Sequence, residues 1–241
     1  MRLATVTPRA DLLRGLVAYW KFEEGSGTRV DTYGAHNMTI VSGAPSSGTG
    51  IVGNCLSLAA ASSQYLEMAD DAALSFTGDF WWSVWVQLAS KGSDRCVFSK
   101  GNSGSSPTPN PFEYVCRYQN SSDRFRFLIS NNTTSITREF SNLGSPALNT
   151  WYNLQMWLDT TAGKLFAQAY TPNGPVQADS IACTILPWDS TFGLRFGRTV
   201  GVSTNYWDGL IDEAAVWNRK PTAVERNQVW RNGAARQYPF Y

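Results

Sequence analysis

Short runs of alternating apolar and polar residues follow one another along most of the chain. FWWSVWVQL (80–88), FEYVCRY (112–118), RFRFLIS (124–130) and WYNLQMWLD (151–159) are rich in aromatic and β-branched residues. Clusters of Gly, Ser, Asn, Asp and Pro separate these runs, which is the pattern of antiparallel strands joined by turns. Because many such runs succeed one another without a helical segment between them, we expect an all-β fold with two packed antiparallel sheets.

One short helix is predicted near the C-terminal end. Residues 222–225 (TAVE) fit a capping box, with Thr222 as the N-cap and Glu225 reaching back to its amide. Gly233 can end the helix in a left-handed conformation. We therefore expect about ten helical residues, packed across a sheet edge or end through Val229.

The chain is expected to form a single domain. GNSGSSPTPNP (101–111) has the composition of a linker, but strand patterns of the same kind resume directly after it. We interpret this segment as a long exposed loop within one domain.

The charge balance disfavours two classes of partner. Lys and Arg number 20 against 19 Asp and Glu, so the net charge is +1 and gives no electrostatic basis for binding nucleic acid or an anionic membrane. No run approaches the roughly 20 apolar residues of a membrane span. The first 15 residues also lack the apolar segment of a signal peptide.

The cysteines do not indicate a metal site. Cys55, Cys96, Cys116 and Cys183 are widely spaced and form no CxxC pair, so zinc is disfavoured. Cys96 and Cys116 are placed to lie on neighbouring strands, and small buried thiols are the favoured interpretation for them.

Several segments resemble one known family. GLVAYWKFEEGSGTRVDTYGAHNMTIV (15–41) resembles the opening of concanavalin A-like lectin/glucanase modules of the laminin G-like type, where a WxF(D/E)E strand precedes a Gly-Ser turn and a D-x-x-G loop. GNCLSLAAASSQYLEMAD (53–70), FWWSVWVQL and VFSKG (97–101) resemble the elements that follow. DGLIDEAAVWNRKPTAVERNQVW (208–230) resembles the closing G-x-I-D-E motif and the segment after it.

The resemblance implies a jelly-roll sandwich of two curved antiparallel sheets. It covers roughly residues 15 to 233, so we divide the chain into an N-terminal arm (1–14), a laminin G-like jelly-roll domain (15–233) and a C-terminal tail (234–241). The middle segment 169–191 is longer and less regular than in the family. Ligand-facing loops of that region therefore cannot be carried over from relatives.

An enzyme is disfavoured. Glycoside hydrolysis usually needs two carboxylates that flank the bond to be cleaved, and the E-x-D-x-x-E run of the glucanase relatives is absent. The adjacent pairs Glu23–Glu24 and Asp212–Glu213 would point to opposite faces of a strand. His36 is the only histidine, so every Ser-His or Cys-His mechanism depends on it. Its Gly-Asn loop (YGAHNM) favours a surface turn residue instead.

Aromatic residues in loops favour a binding module. Trp188, Tyr206 and Trp207 fall in loops or at strand ends, where aromatic rings can stack on the apolar face of a sugar. We predict these three as ligand-binding residues for a cell-surface glycan. The alternative places each Trp in the core, because a sandwich with 10 Trp buries most of them.

A structural role in a larger particle is the third class. The aromatic segment RQYPFY (236–241) and the absence of a signal sequence fit a phage or virus structural protein that docks on other particle subunits, or on its own copies, through its termini. We therefore expect a non-catalytic adhesion module on a virion surface, as a phage decoration or fibre protein. The alternative is a carbohydrate-binding module of an extracellular glycan-degrading system.

A structural calcium site is the predicted cofactor. The family pattern places Asp212 on the inner face of the last strand and Glu24 on the inner face of the first, and Asp31 follows in the D-x-x-G loop. Three converging carboxylates would suit Ca²⁺, which takes 6–8 oxygen ligands. The alternative is that Asp212 accepts hydrogen bonds from backbone amides of the 25–34 loop without a metal.

Overall fold

The computed structural model describes residues 11–102, 112–199 and 204–240. It confirms the predicted fold class, since these residues form two antiparallel sheets and one short α-helix. The nine strands of the first sheet are β1 (Leu16–Trp20), β3 (Ser46–Thr49), β4 (Asn54–Leu58), β6 (Phe80–Leu88), β11 (Trp151–Asp159), β12 (Lys164–Thr171), β13 (Gly174–Pro175), β14 (Asp179–Ala182) and β16 (Gly209–Trp217). The seven strands of the second sheet are β2 (Thr39–Ser42), β5 (Tyr65–Glu67), β7 (Arg95–Gly101), β8 (Phe112–Gln119), β9 (Arg124–Ser130), β10 (Ser135–Glu139) and β15 (Leu194–Phe196).

Strands distant in sequence are neighbours in both sheets. The first sheet runs β13–β12–β11–β6–β16–β4–β3, with β1 also paired to β16 and β14 to β12. The second runs β10–β9–β8–β7–β15–β5–β2. The inner faces of the two sheets enclose one continuous apolar core, and Trp82 of β6 stacks there on Phe98 of β7 with ring centroids 4.3 Å apart.

Strand β6 alternates as its sequence predicts. Phe80, Trp82 and Val84 face the core, and the intervening Trp81 belongs to a second apolar cluster on the outer face of the first sheet. Trp81 is nevertheless fully buried, because other parts of the chain cover that outer face.

The single helix, α1 (Ala223–Trp230), is one of the covering elements. Its capping box is confirmed: the Thr222 hydroxyl accepts from the Glu225 amide, and a Glu225 carboxylate oxygen accepts from the Thr222 amide. The helix is shorter than predicted because Arg231, and not Gly233, takes the left-handed conformation that ends it. Helix α1 lies on the face of the first sheet rather than at its edge, with the Arg226 guanidinium 4.4 Å from the ring centroid of Trp157.

The segments that flank the predicted domain also pack on this outer face. Leu12 is 2% exposed, and its carbonyl accepts a hydrogen bond from the indole N–H of Trp217. Phe240 is 5% exposed and packs on Tyr19 and Trp217, while Tyr238 lies against Tyr19. Contacts within the sandwich therefore account for Tyr238 and Phe240 without a second subunit, and docking through the termini stays a prediction. Tyr241 and residues 1–10 of the predicted arm lie outside the described residues.

Two further expectations from the sequence have different outcomes. Cys96 and Cys116 do lie on neighbouring strands, and all four cysteines are free and buried. His36, in contrast, is buried rather than a surface turn residue, and its Nδ1 lies 2.8 Å from Asp31 Oδ2. Of the predicted 101–111 loop, residues 103–111 lie outside the described residues. No helix in the described part of the chain has the length and apolarity needed to cross a membrane.

We expect Phe240→Ala to lower the free energy of unfolding by about 3 kcal/mol, because removing a buried aromatic ring loses apolar burial and leaves a cavity. Val224→Ala removes a side chain that is 51% exposed on α1 and should stay within about 0.5 kcal/mol of the parent chain. Denaturant unfolding measures both changes. A Phe240→Ala protein of unchanged stability that has lost an oligomer seen by light scattering would instead favour docking through the tail.

Candidate functional site

The last strand of the first sheet contains a β-bulge at Asp212 and Glu213. Its register against β6 shifts between Asp212 and Ala215, and Glu213 has a positive φ of 47°. Ile211 lies in the core before the bulge and Ala214 lies there after it. Asp212 and Glu213 therefore both face outward, because the extra residue of a bulge shifts the alternation by one position. This corrects two predictions: that Asp212 faces inward, and that Asp212 and Glu213 point to opposite faces of the strand.

Both carboxyl groups are buried and hydrogen-bonded. Asp212 Oδ2 accepts from the amides of Ile51 and Val52, at 2.8 and 3.3 Å, and Oδ1 accepts from the Glu213 amide at 2.9 Å. Glu213 accepts from the hydroxyl of Tyr19 and, at 2.7 Å, from the side-chain amide of Gln237. Burial, and the neighbouring Glu213 carboxyl, raise the pKa of Asp212 to about 9. Burial likewise raises the pKa of Glu213 to about 7.

The predicted calcium ligands are not brought together. Asp212 binds the 51–52 amides, and Glu24 Oε1 accepts from the Val30 amide at 2.7 Å. Asp31 accepts from the amides of Tyr19, Tyr33 and His36 with its two oxygens. Backbone N–H groups therefore point at the oxygens that a cation would need, so these residues do not fit the predicted cage. Within residues 11–102, 112–199 and 204–240, no group of three or more His, Cys, Asp or Glu is placed to hold a metal ion.

Asp212 does accept hydrogen bonds from backbone amides, as the alternative without a metal predicted, but these amides belong to a different loop. Residues 51 and 52 supply the amides, whereas the sequence pointed to the 25–34 loop. That loop is tied to β1 by Asp31 instead. Burial alone would raise the pKa of Asp31, but hydrogen bonds from His36 and from backbone amides outweigh burial and lower it.

The three predicted ligand-binding aromatics do not form one exposed surface. Trp207 is fully buried in the core and lies near Phe125, so its ring cannot stack on a ligand in this conformation. Tyr206 is 9% exposed, and the Arg198 guanidinium lies 5.2 Å from its ring centroid. Trp188 is half-buried on the second sheet, and its indole N–H donates to the Phe112 carbonyl at 3.0 Å.

A polar cavity, which we name the amide-rich cavity, lies on the outer face of the second sheet. Its volume is about 410 Å³, and its walls include Asp94, Arg117, Gln119, Asn120, Thr204 and Asn205. Strand β8 places Arg117 and Gln119 there because the alternating Cys116 and Tyr118 face the core. Asn205 is held beside the same cavity by its backbone carbonyl, which accepts a hydrogen bond from the Cys96 amide at 2.9 Å.

Several hydrogen-bonding atoms of this cavity have no partner among the described residues. They are Oε1 of Gln119, Oδ1 of Asn205 and Nε of Arg117. The opposite ends of these side chains are held in place. Gln119 Nε2 donates to Asp94 at 2.9 Å, and the side-chain nitrogen of Asn205 donates to the Thr199 hydroxyl. Two amide side chains held in fixed orientations therefore line this cavity, together with the Arg117 guanidinium.

A second cavity, on the outer face of the first sheet, has a different character. It measures about 310 Å³, and Ile51, Trp85, Trp151 and Pro172 supply most of its apolar walls. Trp85 is only 2% exposed. Fewer hydrogen-bonding side chains line this cavity than line the amide-rich cavity.

The amide-rich cavity was not predicted from the sequence. The signal that could have indicated it is the polar turn QNSSD (119–123), which directly follows a strand whose alternation leaves Arg117 and Gln119 outside. The contribution of Asn205 depends on a loop crossing the sheet, which no local pattern reveals.

Comparison with known proteins gives one family match and several similar folds. The family model of the concanavalin A-like lectin/glucanases superfamily, of the laminin G type, matches residues 60–225. A search of curated proteins finds no matching sequence.

Among solved structures, domain 4 of AbnA is similar. This domain belongs to a GH43 extracellular arabinanase from Geobacillus stearothermophilus, and its structure is a complex with arabinotriose. The TM-score is 0.61 at 13% identity, covering 87% of this chain and 95% of the other.

Two other similar structures are binding modules. The receptor binding domain of botulinum neurotoxin mosaic serotype C/D has a TM-score of 0.64 at 13% identity, and 90% of this chain spans 50% of that domain. The Ruminococcus gnavus IT-sialidase CBM40, bound to α2,3 sialyllactose, has a TM-score of 0.51 at 12% identity, covering 64% of this chain and 83% of the other. At these identities the likeness establishes the fold.

The bulge gives a prediction about pH. Because the pKa of Asp212 is raised in the folded chain, the native state keeps a proton that the unfolded chain has lost between about pH 4 and pH 9. The free energy of unfolding should therefore fall as pH rises through this window. Asp212→Asn cannot ionise, so we expect a flatter dependence, measured by denaturant unfolding at several pH values. An Asp212→Asn protein with the parental slope would contradict this assignment, and the exposed Asp189→Asn is the control.

Calcium binding by the chain stays a prediction, and chelation tests it. A cation at Asp212 would make EDTA lower the melting temperature of the parent chain and leave that of Asp212→Asn unchanged. Because backbone amides already occupy the Asp212 oxygens, we expect EDTA and added Ca²⁺ to shift neither protein.

Proposed function

The chain belongs to the concanavalin A-like lectin/glucanase superfamily, and from this premise we propose that it is a non-catalytic module that binds a glycan in the amide-rich cavity of the second sheet. Gln119, Asn205 and Arg117 are the residues to which we assign recognition. Tyr206 follows Asn205 in the chain and supports the loop through its stack with Arg198.

The observation that carries the proposal is the polar lining of that cavity, in which the side chains of Gln119 and Asn205 are held in fixed orientations. Sugar hydroxyls both donate and accept, so a site for them needs acceptors and donors held at defined positions. The amide side chains of Gln119, Asn120 and Asn205 supply donors and acceptors to the wall of the cavity, and the guanidinium of Arg117 supplies further donors.

The two outward carboxyl groups do not favour catalysis. Asp212 and Glu213 share a face, but they are 0% and 3% exposed and are engaged by backbone amides, Tyr19 and Gln237. Retaining and inverting glycosidases need two carboxyl groups roughly 5 to 9.5 Å apart on either side of the substrate. In the described part of the cavity, Asp94 is the one acid among the lining residues.

Similar folds support a binding role. The arabinanase domain is complexed with arabinotriose, the CBM40 with α2,3 sialyllactose, and the toxin domain binds a receptor according to its name. These are properties of those proteins, which share the sandwich with this chain. They make a sugar or a glycosylated receptor the ligand class that we propose here.

The location of this module is a separate prediction. A virion surface and an extracellular glycan-degrading system remain the two alternatives from the sequence. The aromatic tail does not favour the particle, because Tyr238 and Phe240 pack on their own sandwich. Neighbouring genes separate the alternatives: capsid and tail genes for the first, glycosidase genes for the second.

We expect Gln119→Ala to weaken glycan binding by roughly tenfold, because one hydrogen bond to a ligand contributes about 1 kcal/mol and the emptied wall adds to the loss. A glycan array identifies the ligand, and titration calorimetry measures the affinity. Gln177→Ala, which removes an exposed amide side chain elsewhere on the molecule, is the matched control and should bind like the parent chain. Unchanged binding by Gln119→Ala, with loss in Trp151→Ala, would move the site to the apolar cavity.

A further inference from the structure

Two arginines stand directly opposite each other beside the amide-rich cavity. Arg117 of β8 and Arg126 of β9 are paired in register on the outer face of the second sheet. Side chains of such cross-strand pairs have Cβ atoms about 4.5–5.5 Å apart, and like charges in this position are destabilising. The pair thus places two positive charges side by side on this face.

Neither arginine is neutralised by a close partner. Arg117 has its nearest carboxylate, Asp94, at 3.8 Å, a long separation for an ion pair. Arg126 has no ion pair among the described residues, although Glu139 of β10 is opposite it in register on the other side. The Nε atoms of both arginines are buried without an acceptor in the described part of the chain.

The other arginines of this face have structural partners. Arg195 forms an ion pair with Glu67 at 2.7 Å, and Arg198 stacks between Tyr65 and Tyr206. Arg124 donates to the carbonyl of Asp123 at 2.8 Å. Apart from the 3.8 Å contact between Arg117 and Asp94, the guanidinium groups of Arg117 and Arg126 have no such partner among the described residues, so their terminal N–H groups are left for an anion.

We propose that Arg117 and Arg126 together bind the acidic group, a carboxylate or a sulfate, of an anionic saccharide. This inference rests on the proposed glycan site and names its substrate class. Guanidinium groups present planar sets of N–H donors that match the oxygens of carboxylates and related oxyanions. The anion also removes the repulsion between the two guanidinium groups. Arg117 joins the two parts of the site, because it lines the cavity and also faces Arg126.

The experiment compares acidic glycans with neutral counterparts. One arm uses a uronic acid oligosaccharide and its carboxyl-reduced form, and the other a sulfated oligosaccharide and its desulfated form. We expect the parent chain to bind one acidic member at least tenfold more tightly than its neutral counterpart. The arm with the preference identifies whether the anion is a carboxylate or a sulfate.

Variants at Arg126 test the assignment. Arg126→Gln should remove the preference, lowering affinity for the acidic glycan about tenfold and changing that for the neutral glycan less than twofold. Arg126→Lys keeps the charge without the planar donor set and should give an intermediate loss. Arg124→Gln is the matched control, because it removes one positive charge from the same face and should keep the preference. Melting temperatures establish that the variants are folded.

Different failures have different meanings. Equal binding of acidic and neutral glycans by the parent chain would overturn this inference and leave the glycan-binding function standing. A preference that Arg124→Gln reduces as much as Arg126→Gln would also overturn it, because general attraction would then explain the effect. Failure to bind any glycan, acidic or neutral, would overturn the proposed function and this inference together.

Discussion

The extra residue in β16 determines how three distant parts of the chain are joined. Before the bulge, β16 pairs with β4, and after it with β1, while β6 lies along its other side. The bulge turns Asp212 towards the 51–52 amides and Glu213 towards Tyr19 and Gln237. A buried carboxyl group is tolerated only when it is hydrogen-bonded or neutral. These contacts and the raised pKa values of both groups meet that condition.

This arrangement gives the two outer faces of the sandwich different roles. Helix α1, Leu12 and the 235–240 segment cover much of the first sheet and bury a row that includes Trp81 and Trp217. The second sheet instead carries amides and guanidinium groups at its outer surface, several of them without partners in the described residues. Apolar side chains thus cover one outer face, whereas the other combines a small buried apolar cluster that includes Val115 and Leu128 with polar groups that are available for recognition. Such a division fits a binding module in which other segments of the same chain cover one outer face and the other outer face is left for a ligand.

The sequence predicted those features that depend on local pattern. The alternation of Phe80 to Leu88 and the capping box at Thr222 follow from residues close together in the chain, whereas the jelly-roll form was implied by the resemblance to a known family. The bulge was not predicted, because the segment IDEA (211–214) has the pattern of an unbroken strand. One added residue reverses the face assigned to each residue that precedes it in the strand. The burial of Trp207 contradicts its assignment as a ligand-binding residue and agrees with the alternative that placed each Trp in the core.

The candidate site was less predictable, because its parts meet only through strand register and loop crossing. Arg117 and Arg126 look like ordinary surface charges in YVCRY and RFRF, and only their pairing in register makes them neighbours. Asn205 joins them from a loop that follows β15. The Glu24, Asp31 and Asp212 cage was inferred from face assignments, and the bulge at Asp212 and the backbone amides around Asp31 separate its members.

The strand order also bears on how the chain is made in the cell. Strand β6 is a long and largely apolar strand of the first sheet, yet both of its neighbours, β11 and β16, come later in the sequence. While the ribosome is still adding residues, FWWSVWVQL has emerged with both edges unpaired, and its Trp rings are exposed. An unpaired apolar strand of this kind is prone to aggregate with other chains. Between synthesis of β6 and synthesis of β16, both edges of this strand are therefore open to pairing with another chain.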